Sequence, residues 1–432
     1  IEAFDSSFDN LDKRTQRIDI GDLNIALLPK QTRGETVTVC MKFKSGDEKN
    51  LFGKANLQPV AAAMLTRGTK TMTRSEIEDR MTELKMAGSI TNFTTTRKNL
   101  PAALELVFDA MHNSIMPQDE FDQFKKQMQV MIESMRDKPD ALAQNAITQH
   151  FNTYPKGDPR YEYSLDESLE QLNKLTVDQV RAFYKEFGGT SRGEISIVGD
   201  FDPKAVEKII RDDYAKYVSK AHYAPVVTEY RPVKATRVVI DTPDKENAII
   251  VARSVFPIND TAPDAPALTV ANWILGGGTG LSNRLIERLR QKEGLSYGAG
   301  SRVRIPAKGD NGSFVFRAIV APQNMLQAEA SARDVIAKAI KDGFTDQEVE
   351  EAKKGLLQAM QVARSQDDVV ARSWNDKMEN QRTWVFSKKQ AEAISKLTTA
   401  DVNAALRKYI KPDEITFVLA GDQKKAAQKK QD

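Results

Sequence analysis

Residues 174–200, "KLTVDQVRAFYKEFGGTSRGEISIVGD", align without a gap on residues 396–422, "KLTTADVNAALRKYIKPDEITFVLAGD". The offset is 222 residues throughout, from 396 minus 174. In each copy a Lys-Leu-Thr triplet precedes a helical pattern, and a turn then leads into an apolar strand that ends at Gly-Asp. Threonine is a favoured residue at the start of a helix. The chain therefore repeats a helix–turn–strand unit.

Two further matches follow the same order along the chain. Residues 119–143 match 347–371 at an offset of 228, from 347 minus 119, and both read as amphipathic helices. A looser match relates "AAAMLTRGT" at 61–69 to "ANWILGGGT" at 271–279. Three ordered matches with similar offsets indicate that the chain consists of two homologous halves.

The boundary between the halves is predicted near 219–235, "SKAHYAPVVTEYRPVKA". This stretch has two prolines and no sustained period, as expected of a linker. We predict an N-terminal half over 1–220 and a C-terminal half over 236–432. Alternating strand patterns and amphipathic helices mix without a regular βαβ rhythm. The predicted fold class is therefore α+β, with a largely antiparallel sheet in each half and helices packed on one face.

Composition excludes several classes of protein. Hydrophobic residues make up 40% and charged residues 28%, which is typical of a globular chain. The net charge is only +3, with both signs mixed throughout, so no nucleic-acid-binding face is expected. The apolar runs are shorter than a membrane span. The single cysteine, Cys40, lies in an apolar strand pattern and is interpreted as core filler.

Common catalytic signatures are missing from the sequence. His112, His150 and His222 are the three histidines, and their spacing fits no zinc motif such as H-x-x-E-H. We therefore predict no metal ligands and no cofactor in this chain. The glycine-rich "LGGGTGLSN" at 275–283 lacks the Lys-Ser/Thr of a phosphate-binding loop, so a flexible turn is favoured over a nucleotide site.

The stretch "LRQKEGLSYG" at 289–298 raises a more specific hypothesis. Leu281, Leu285, Ile286 and Leu289 have helical spacing, and Gly294 is placed for a C-terminal cap. Together with the duplication and the "RGT" at 67–69, "LxxRLRxKEGLSY" resembles the pitrilysin/insulinase family of zinc metallopeptidases. The resemblance extends over about residues 15–422.

The resemblance also implies which chemistry is absent. Active family members carry the inverted zinc motif H-x-x-E-H on a first-half helix that leads into "GT". Counting back from "RGT", those positions hold Pro59, Ala62 and Ala63, which have no metal-binding atoms. The family's third ligand, a glutamate, would fall at Ser134 or the adjacent Glu133.

The resemblance assigns a role to Arg290 and Tyr297. Family members that cleave peptides use an arginine and a tyrosine seven residues apart, which close over a zinc site in the partner half-molecule. The predicted function is a non-zinc-binding subunit, or C-terminal half, that supplies these two groups to a partner carrying H-x-x-E-H and zinc. It would be inactive alone, act on peptides and be periplasmic. The alternative is a catalytically silent scaffold or peptide-binding homologue. The residues alone also allow a structural alternative, in which Arg290 forms an ion pair at the helix end and Tyr297 packs in a strand.

Overall fold

A computed structural model describes residues 1–279 and 283–428. The strands of the first half are β1 (Gln16–Ile20), β2 (Leu23–Pro29), β3 (Thr36–Phe43), β4 (Ala87–Gly88), β5 (Asn92–Thr96) and β6 (Gly193–Gly199). Its helices are α1 (Phe8–Arg14), α2 (Gln58–Met64), α3 (Arg74–Glu83), α4 (Leu100–Asn113), α5 (Gln118–Met135), α6 (Pro139–His150), α7 (Leu165–Lys174), α8 (Val177–Phe187) and α9 (Pro203–Lys216).

The second half follows the same plan. Its strands are β7 (Arg237–Asp241), β8 (Ala248–Pro257), β9 (Ser296–Arg304), β10 (Asn311–Val320) and β11 (Thr416–Gly421). Its helices are α10 (Ala265–Asn272), α11 (Arg284–Ile286), α12 (Met325–Asp342), α13 (Asp346–Arg364), α14 (Asp367–Glu379), α15 (Trp384–Lys396), α16 (Thr399–Tyr409) and α17 (Gln423–Gln428). Two π-helical segments, Trp273–Gly277 and Glu287–Lys292, flank α11.

The two sheets have matching topologies. The first has the order β1-β2-β6-β3-β5-β4 and the second has β7-β11-β8-β10-β9. Each contains one parallel pair, β2 with β6 and β7 with β11, and the remaining pairs are antiparallel. The second sheet thus repeats the first from its second strand onward. The predicted α+β class with two largely antiparallel sheets is confirmed.

The repeat also holds at the level of single helices. α8 starts at Val177 and α16 at Thr399, which reproduces the offset of 222 (399 minus 177). Thr176 and Thr398 cap these helices, because each side-chain oxygen accepts a hydrogen bond from the backbone N–H three residues on. The predicted capping role of the Lys-Leu-Thr triplets is therefore confirmed.

The core of each half lies between its sheet and its own helices. In the second half, Phe314 and Phe316 of β10 are fully buried in this core. The opposite face of each sheet is also covered, which the expectation of helices on one face did not include. α14 of the second half packs on β3 and β6, and α6 of the first half packs on β8 and β11. The two halves therefore exchange one helix each.

The covered outer faces differ in composition. Under α14, Trp374 and Met378 pack with Leu28, Cys40 and Val198 of the first sheet. Cys40 is 3% exposed, and burial raises the pKa of its thiol to about 11, so the interpretation as core filler is confirmed. Under α6, small and branched residues meet the second sheet: Ala143, Ile147, Ile249, Val251, Val418 and Ala420.

The connection between the sheets is irregular. Residues 217–236 contain neither helix nor strand, although the chain is held to its surroundings by hydrogen bonds such as Arg231 to the carbonyl of Thr153 at 2.8 Å. The proposed boundaries at 220 and 236 stay a prediction. Among the described helices, none combines the length and apolar character that crossing a bilayer requires.

Candidate functional site

Tyr297 lies at a β-bulge near the start of β9, an edge strand of the second sheet. Ser296 pairs with Val320 and Gly298 pairs with Ile319, so Tyr297 is the extra residue of a β-bulge. A bulge redirects the side chain it carries, and bulges are frequent beside active sites. Tyr297 is 65% exposed, although its neighbours Leu295 and Ser296 are buried. The local backbone therefore holds an aromatic hydroxyl out from the sheet.

Ser296 stabilises this bulge. Its hydroxyl oxygen lies 2.7 Å from the carbonyl oxygen of Gly298 and 2.9 Å from that of Ile319. The same oxygen accepts the backbone N–H of Gly298 at 3.1 Å. These contacts satisfy backbone groups that the interrupted ladder leaves unpaired. The sequence offered no signal for this role, because a serine before a tyrosine is ordinary in a strand.

Arg290 projects from the π-helical segment that precedes the bulge. The segment Glu287–Lys292 continues from α11, with Leu289 fully buried beneath it. Gly294 follows with φ +61°, a left-handed conformation that suits glycine, so the predicted cap at this position is confirmed. Leu285 is buried as the helical spacing predicts, whereas Leu281 lies outside the described residues.

An ionic network fixes the end of this segment. The Arg288 guanidinium contacts the Glu293 carboxylate and lies 2.8 Å from the carboxylate of Asp334 on α12. Ser331 of α12 donates its hydroxyl to Glu293 at 2.7 Å. Partial burial opposes ionisation of Glu293, but the bonds from Ser331 and Arg288 outweigh it and hold the pKa below its usual value. These contacts stabilise the backbone of the π-helical segment that carries Arg290.

Arg290 and Tyr297 have the same surroundings in one respect. Both side chains are exposed, and within residues 1–279 and 283–428 neither has a hydrogen-bond or ion-pair partner. The open alternatives of a helix-end ion pair and a packed tyrosine therefore do not describe them. A guanidinium and a phenol are both donors, and donors stabilise a developing oxyanion. Their assignment as catalytic residues stays a prediction.

The glycine-rich loop packs against the same strand. A Cβ added at Gly276 would lie 2.4 Å from the Ser301 hydroxyl oxygen of β9, so glycine permits this close approach. Asn283 caps α11 by accepting the N–H of Ile286 at 2.8 Å and donating to the Gly278 carbonyl at 3.0 Å. Residues 280–282, which include Ser282 of the phosphate-loop comparison, lie outside the described part.

The positions expected for zinc ligands lie on α2 and α5. Pro59 and Ala62 are exposed and Ala63 is half-buried on α2. On α5, Ser134 donates to the carbonyl of Met131 at 2.6 Å, and Glu133 lies 3.6 Å from the Arg136 guanidinium. An apolar cavity of about 280 Å³ adjoins Ala62 on α2. Among the described residues, no three His, Cys, Asp or Glu side chains form a group that could hold a metal ion.

The three histidines are separate, and each has its own partner. His112 is stacked on Tyr217 and its Nε2 lies 2.9 Å from the carboxylate of Asp213. The Nε2 of His150 lies 2.8 Å from the carbonyl oxygen of Lys234. The Nδ1 of His222 lies 2.7 Å from the carboxylate of Asp47. Each histidine is therefore a hydrogen-bonded residue.

Sequence comparison relates the chain to peptidases and to a non-peptidase homologue. Residues 174–356 match the family described as "Peptidase M16 inactive domain". An uncharacterized zinc protease of Mycobacterium bovis is 24% identical over 299 residues, which is 66% of each chain, so this chain spans about two thirds of that relative. The non-peptidase homolog YmxG of Helicobacter pylori is 21% identical over 404 residues, 89% of each chain.

Solved structures show the same fold. The peptidase M16 inactive domain from Pseudomonas fluorescens superposes with a TM-score of 0.79 at 20% identity, covering 94% of this chain and 97% of that one. The periplasmic protease PqqL from Escherichia coli gives a TM-score of 0.69 at 14% identity, covering 94% of this chain but 45% of its own. PqqL is therefore long enough for about two such units.

Proposed function

Because the chain belongs to the M16 (pitrilysin/insulinase) family of peptidases, we propose that it is the non-zinc-binding subunit of a heteromeric zinc metallopeptidase. A homologous partner, or an upstream half, would carry the H-x-x-E-H zinc site. This chain would supply Arg290 and Tyr297 to that site for peptide hydrolysis. The observation that carries the proposal is that both donors are exposed on a stabilised backbone and have no partner among residues 1–279 and 283–428.

The chemistry assigned to this chain is electrostatic. The partner's zinc would supply Lewis-acid polarisation and the partner's glutamate the general base. Arg290 and Tyr297 would donate hydrogen bonds to the peptide carbonyl as negative charge develops on its oxygen. Because the bulge and the ionic network already fix the backbone that carries the two side chains, the reorganisation needed would be confined to the side chains themselves. Pro59, Ala62 and Ala63 leave this chain without ligands of its own at the aligned positions.

The test is reconstitution with a zinc-binding homologue from the same source. The isolated chain is expected to hydrolyse no fluorogenic peptide, and the mixture is expected to be active. Arg290→Ala and Tyr297→Phe are each expected to lower kcat by about 10²–10³-fold, as removal of one oxyanion donor does. The matched controls are Arg33→Ala and Tyr163→Phe, because these side chains have no hydrogen-bond or ion-pair partner among the described residues. Peptide hydrolysis by the isolated chain with bound zinc would overturn the proposal.

The second candidate is a catalytically silent scaffold or peptide-binding homologue. It is favoured by the aligned α2 positions, which hold proline and alanine, and by the likeness to a non-peptidase homologue. Under this alternative, a stable complex with the homologue would form, but Arg290→Ala would leave its activity unchanged. The same reconstitution therefore separates the two candidates.

The proposed compartment is the bacterial periplasm. Its support is the fold shared with a protein described as a periplasmic protease. Osmotic-shock fractionation of the source cells is expected to release the chain with periplasmic markers. Recovery with cytoplasmic markers would contradict this assignment and leave the subunit proposal intact.

A further inference from the structure

The outer face of the second sheet carries four arginines on three adjacent strands. Alternation along β9 and β10 decides which side chains share this face, since Val303 of β9 and Phe314 and Phe316 of β10 pack into the opposite, inner core. Residues that alternate with these inward-facing positions therefore point to the outer face. They include Arg302 and Arg304 on β9, Arg317 on β10 and Arg253 on β8.

The strand register places these arginines close together. Arg302 and Arg253 both pair with Val315, one from each side, so their Cα atoms are about 10 Å apart, two strand spacings. Arg304 pairs with Ser313, two residues along the same face, and Arg317 pairs with Gly300. Helix α6 packs mainly on β7, β8 and β11. Arg302, Arg304 and Arg317 of β9 and β10 are exposed.

Within the part of the chain that the structure describes, no carboxylate forms an ion pair with these four arginines, although Glu162 lies near Arg253. In the described ranges, none of the four guanidinium groups has a hydrogen-bond or ion-pair partner, and the buried Nε of Arg253 has none either. Burial, and then the charge of Arg304, hold the pKa of Arg253 below its usual value, while Glu162 acts weakly in the opposite direction. Unpaired like charges on neighbouring strands are destabilising unless a ligand neutralises them.

A cavity of about 390 Å³ lies at the Arg253 end of this face. Its wall includes Arg253 and Arg304, with Glu162 and Glu229 as the carboxylates among its lining residues. Phe151 of the segment after α6 lies under the Arg253 guanidinium at 5.1 Å. The other two arginines of the wall are already engaged, because Arg160 pairs with acidic residues and Arg231 donates to a backbone carbonyl.

We propose that Arg253, Arg302, Arg304 and Arg317 form a binding face for an extended peptide segment rich in carboxylates. Charge complementarity defines the occupant, and guanidinium groups bind carboxylates with two parallel hydrogen bonds. A protein chain is favoured over nucleic acid because the patch is three strands wide and the net charge of the whole chain is only +3. There is free space beside the backbone near the start of β9, since a Cβ added at Gly298 would meet nothing within 4 Å.

The face connects to the Arg–Tyr pair through β9. Arg302 and Arg304 follow Tyr297 by five and seven residues, which is about 17–23 Å along a strand. Where the proposed hydrolytic function holds, substrates would carry acidic residues at that distance from the cleaved bond. This substrate preference rests on the proposed function, whereas binding of the acidic peptide does not.

Binding is tested on the isolated full chain by fluorescence anisotropy. The probes are two labelled twelve-residue peptides that differ only in four positions, Glu in one and Gln in the other. The acidic peptide is expected to bind at least about tenfold more tightly, because one hydrogen bond between charged groups contributes that much. Its affinity is expected to fall with added salt. Equal affinities for the two peptides would overturn the inference.

Variants locate the site and separate it from the catalytic proposal. R302Q/R304Q is expected to abolish the preference for the acidic peptide. R302K/R304K, which keeps both charges, is expected to retain most of this preference. The charge-matched control R33Q/K220Q is expected to leave the preference unchanged. Undiminished binding by R302Q/R304Q, or equally tight binding of single-stranded DNA, would contradict an acidic-peptide face. Acidic-peptide binding without Tyr297-dependent hydrolysis in the reconstituted complex would instead contradict only the proposed function.

Discussion

The outer faces of the two sheets have the same origin but different surfaces. On the first sheet, α14 and its neighbours bury Trp374, Trp384 and Cys40, and the face is sealed. On the second sheet, α6 contributes Ala143, Ala146 and Ile147 to a smaller cluster, and β9 and β10 carry exposed arginines. Duplication therefore gave one face that contributes to stability and one that is available to a ligand. Arg290 and Tyr297 lie beside the second.

The largest stability effect is expected at the sealed face. Trp374 is 1% exposed and donates its indole N–H to Thr15 at 3.1 Å. Trp374→Ala is expected to lower the free energy of unfolding by about 3–5 kcal/mol, measured by urea denaturation. The control Val385→Ala, at a 47% exposed site, is expected to change it by less than about 0.5 kcal/mol. A loss below about 1 kcal/mol at Trp374 would mean that the exchanged helix is not part of the folding unit.

The second prediction concerns the smaller cluster. Ile147 of α6 is 1% exposed against the second sheet. Ile147→Ala is expected to cost about 2 kcal/mol, the lower end for such a truncation, because few large side chains surround the site. Met131→Ala on α5, 41% exposed, is the control. A cost equal to that of Trp374→Ala would remove the energetic difference between the two faces.

The third prediction concerns a buried lysine at the sealed face. Lys377 of α14 is 9% exposed, its ammonium lies 4.1 Å from the Trp384 ring centroid, and burial lowers its pKa to about 8. Between pH 8 and 10.5 the unfolded chain holds one proton more at this site, so stability rises with pH across that window. Below pH 8 the native state bears the full cost of the buried charge.

Lys377→Met is therefore expected to stabilise the protein by about 1–3 kcal/mol at pH 7. The gain is expected to shrink as pH approaches 10.5. Chemical denaturation at several pH values measures it, with Lys396→Met as the exposed control. Destabilisation by Lys377→Met at pH 7 would show that the charge is compensated within the fold.

The smallest effect is expected at the open face. Removing two like charges by R302Q/R304Q is expected to raise the free energy of unfolding by about 0.2–1 kcal/mol at low salt. The gain is expected to vanish near 1 M salt, where the screening length is about 3 Å. Thermal unfolding at the two salt concentrations measures it. A destabilised double variant would indicate that these arginines have protein partners after all.

The repeat in the sequence predicted the helices and strands of both halves well, because local patterns determine them. Thr176 and Thr398 mark helix starts that the structure reproduces with one offset. The exchange of α6 and α14 was not predictable, since an apolar stripe such as Ala143 and Ile147 shows that something covers it but not which sheet does. The lack of metal-binding atoms at the aligned positions Pro59, Ala62 and Ala63 could be predicted, because it depends on residue identity alone.

The candidate site was predictable only in part. Arg290 and Tyr297 came from the resemblance, and no periodicity in "KEGLSYG" could reveal a bulge that depends on the pairing of β9 with β10. The basic face was present in the sequence as "SRVR", where arginines two apart must share one side of a strand. Its partners on β8 and β10 required the register, which is a property of the assembled sheet.

The exchanged helices also constrain the order of events during synthesis. The first sheet is complete when β6 ends at Gly199, but the helix that covers its outer face begins at Asp367. The ribosome reaches that helix about 170 residues later, a delay on the order of 10–30 s. During this interval Leu28, Cys40 and Val198 can pack with Leu11 of α1 but lack the cover of Trp374, Met378 and Trp384, so part of this apolar surface stays exposed. Nascent chains of this protein are thus expected to need a chaperone until α14 emerges.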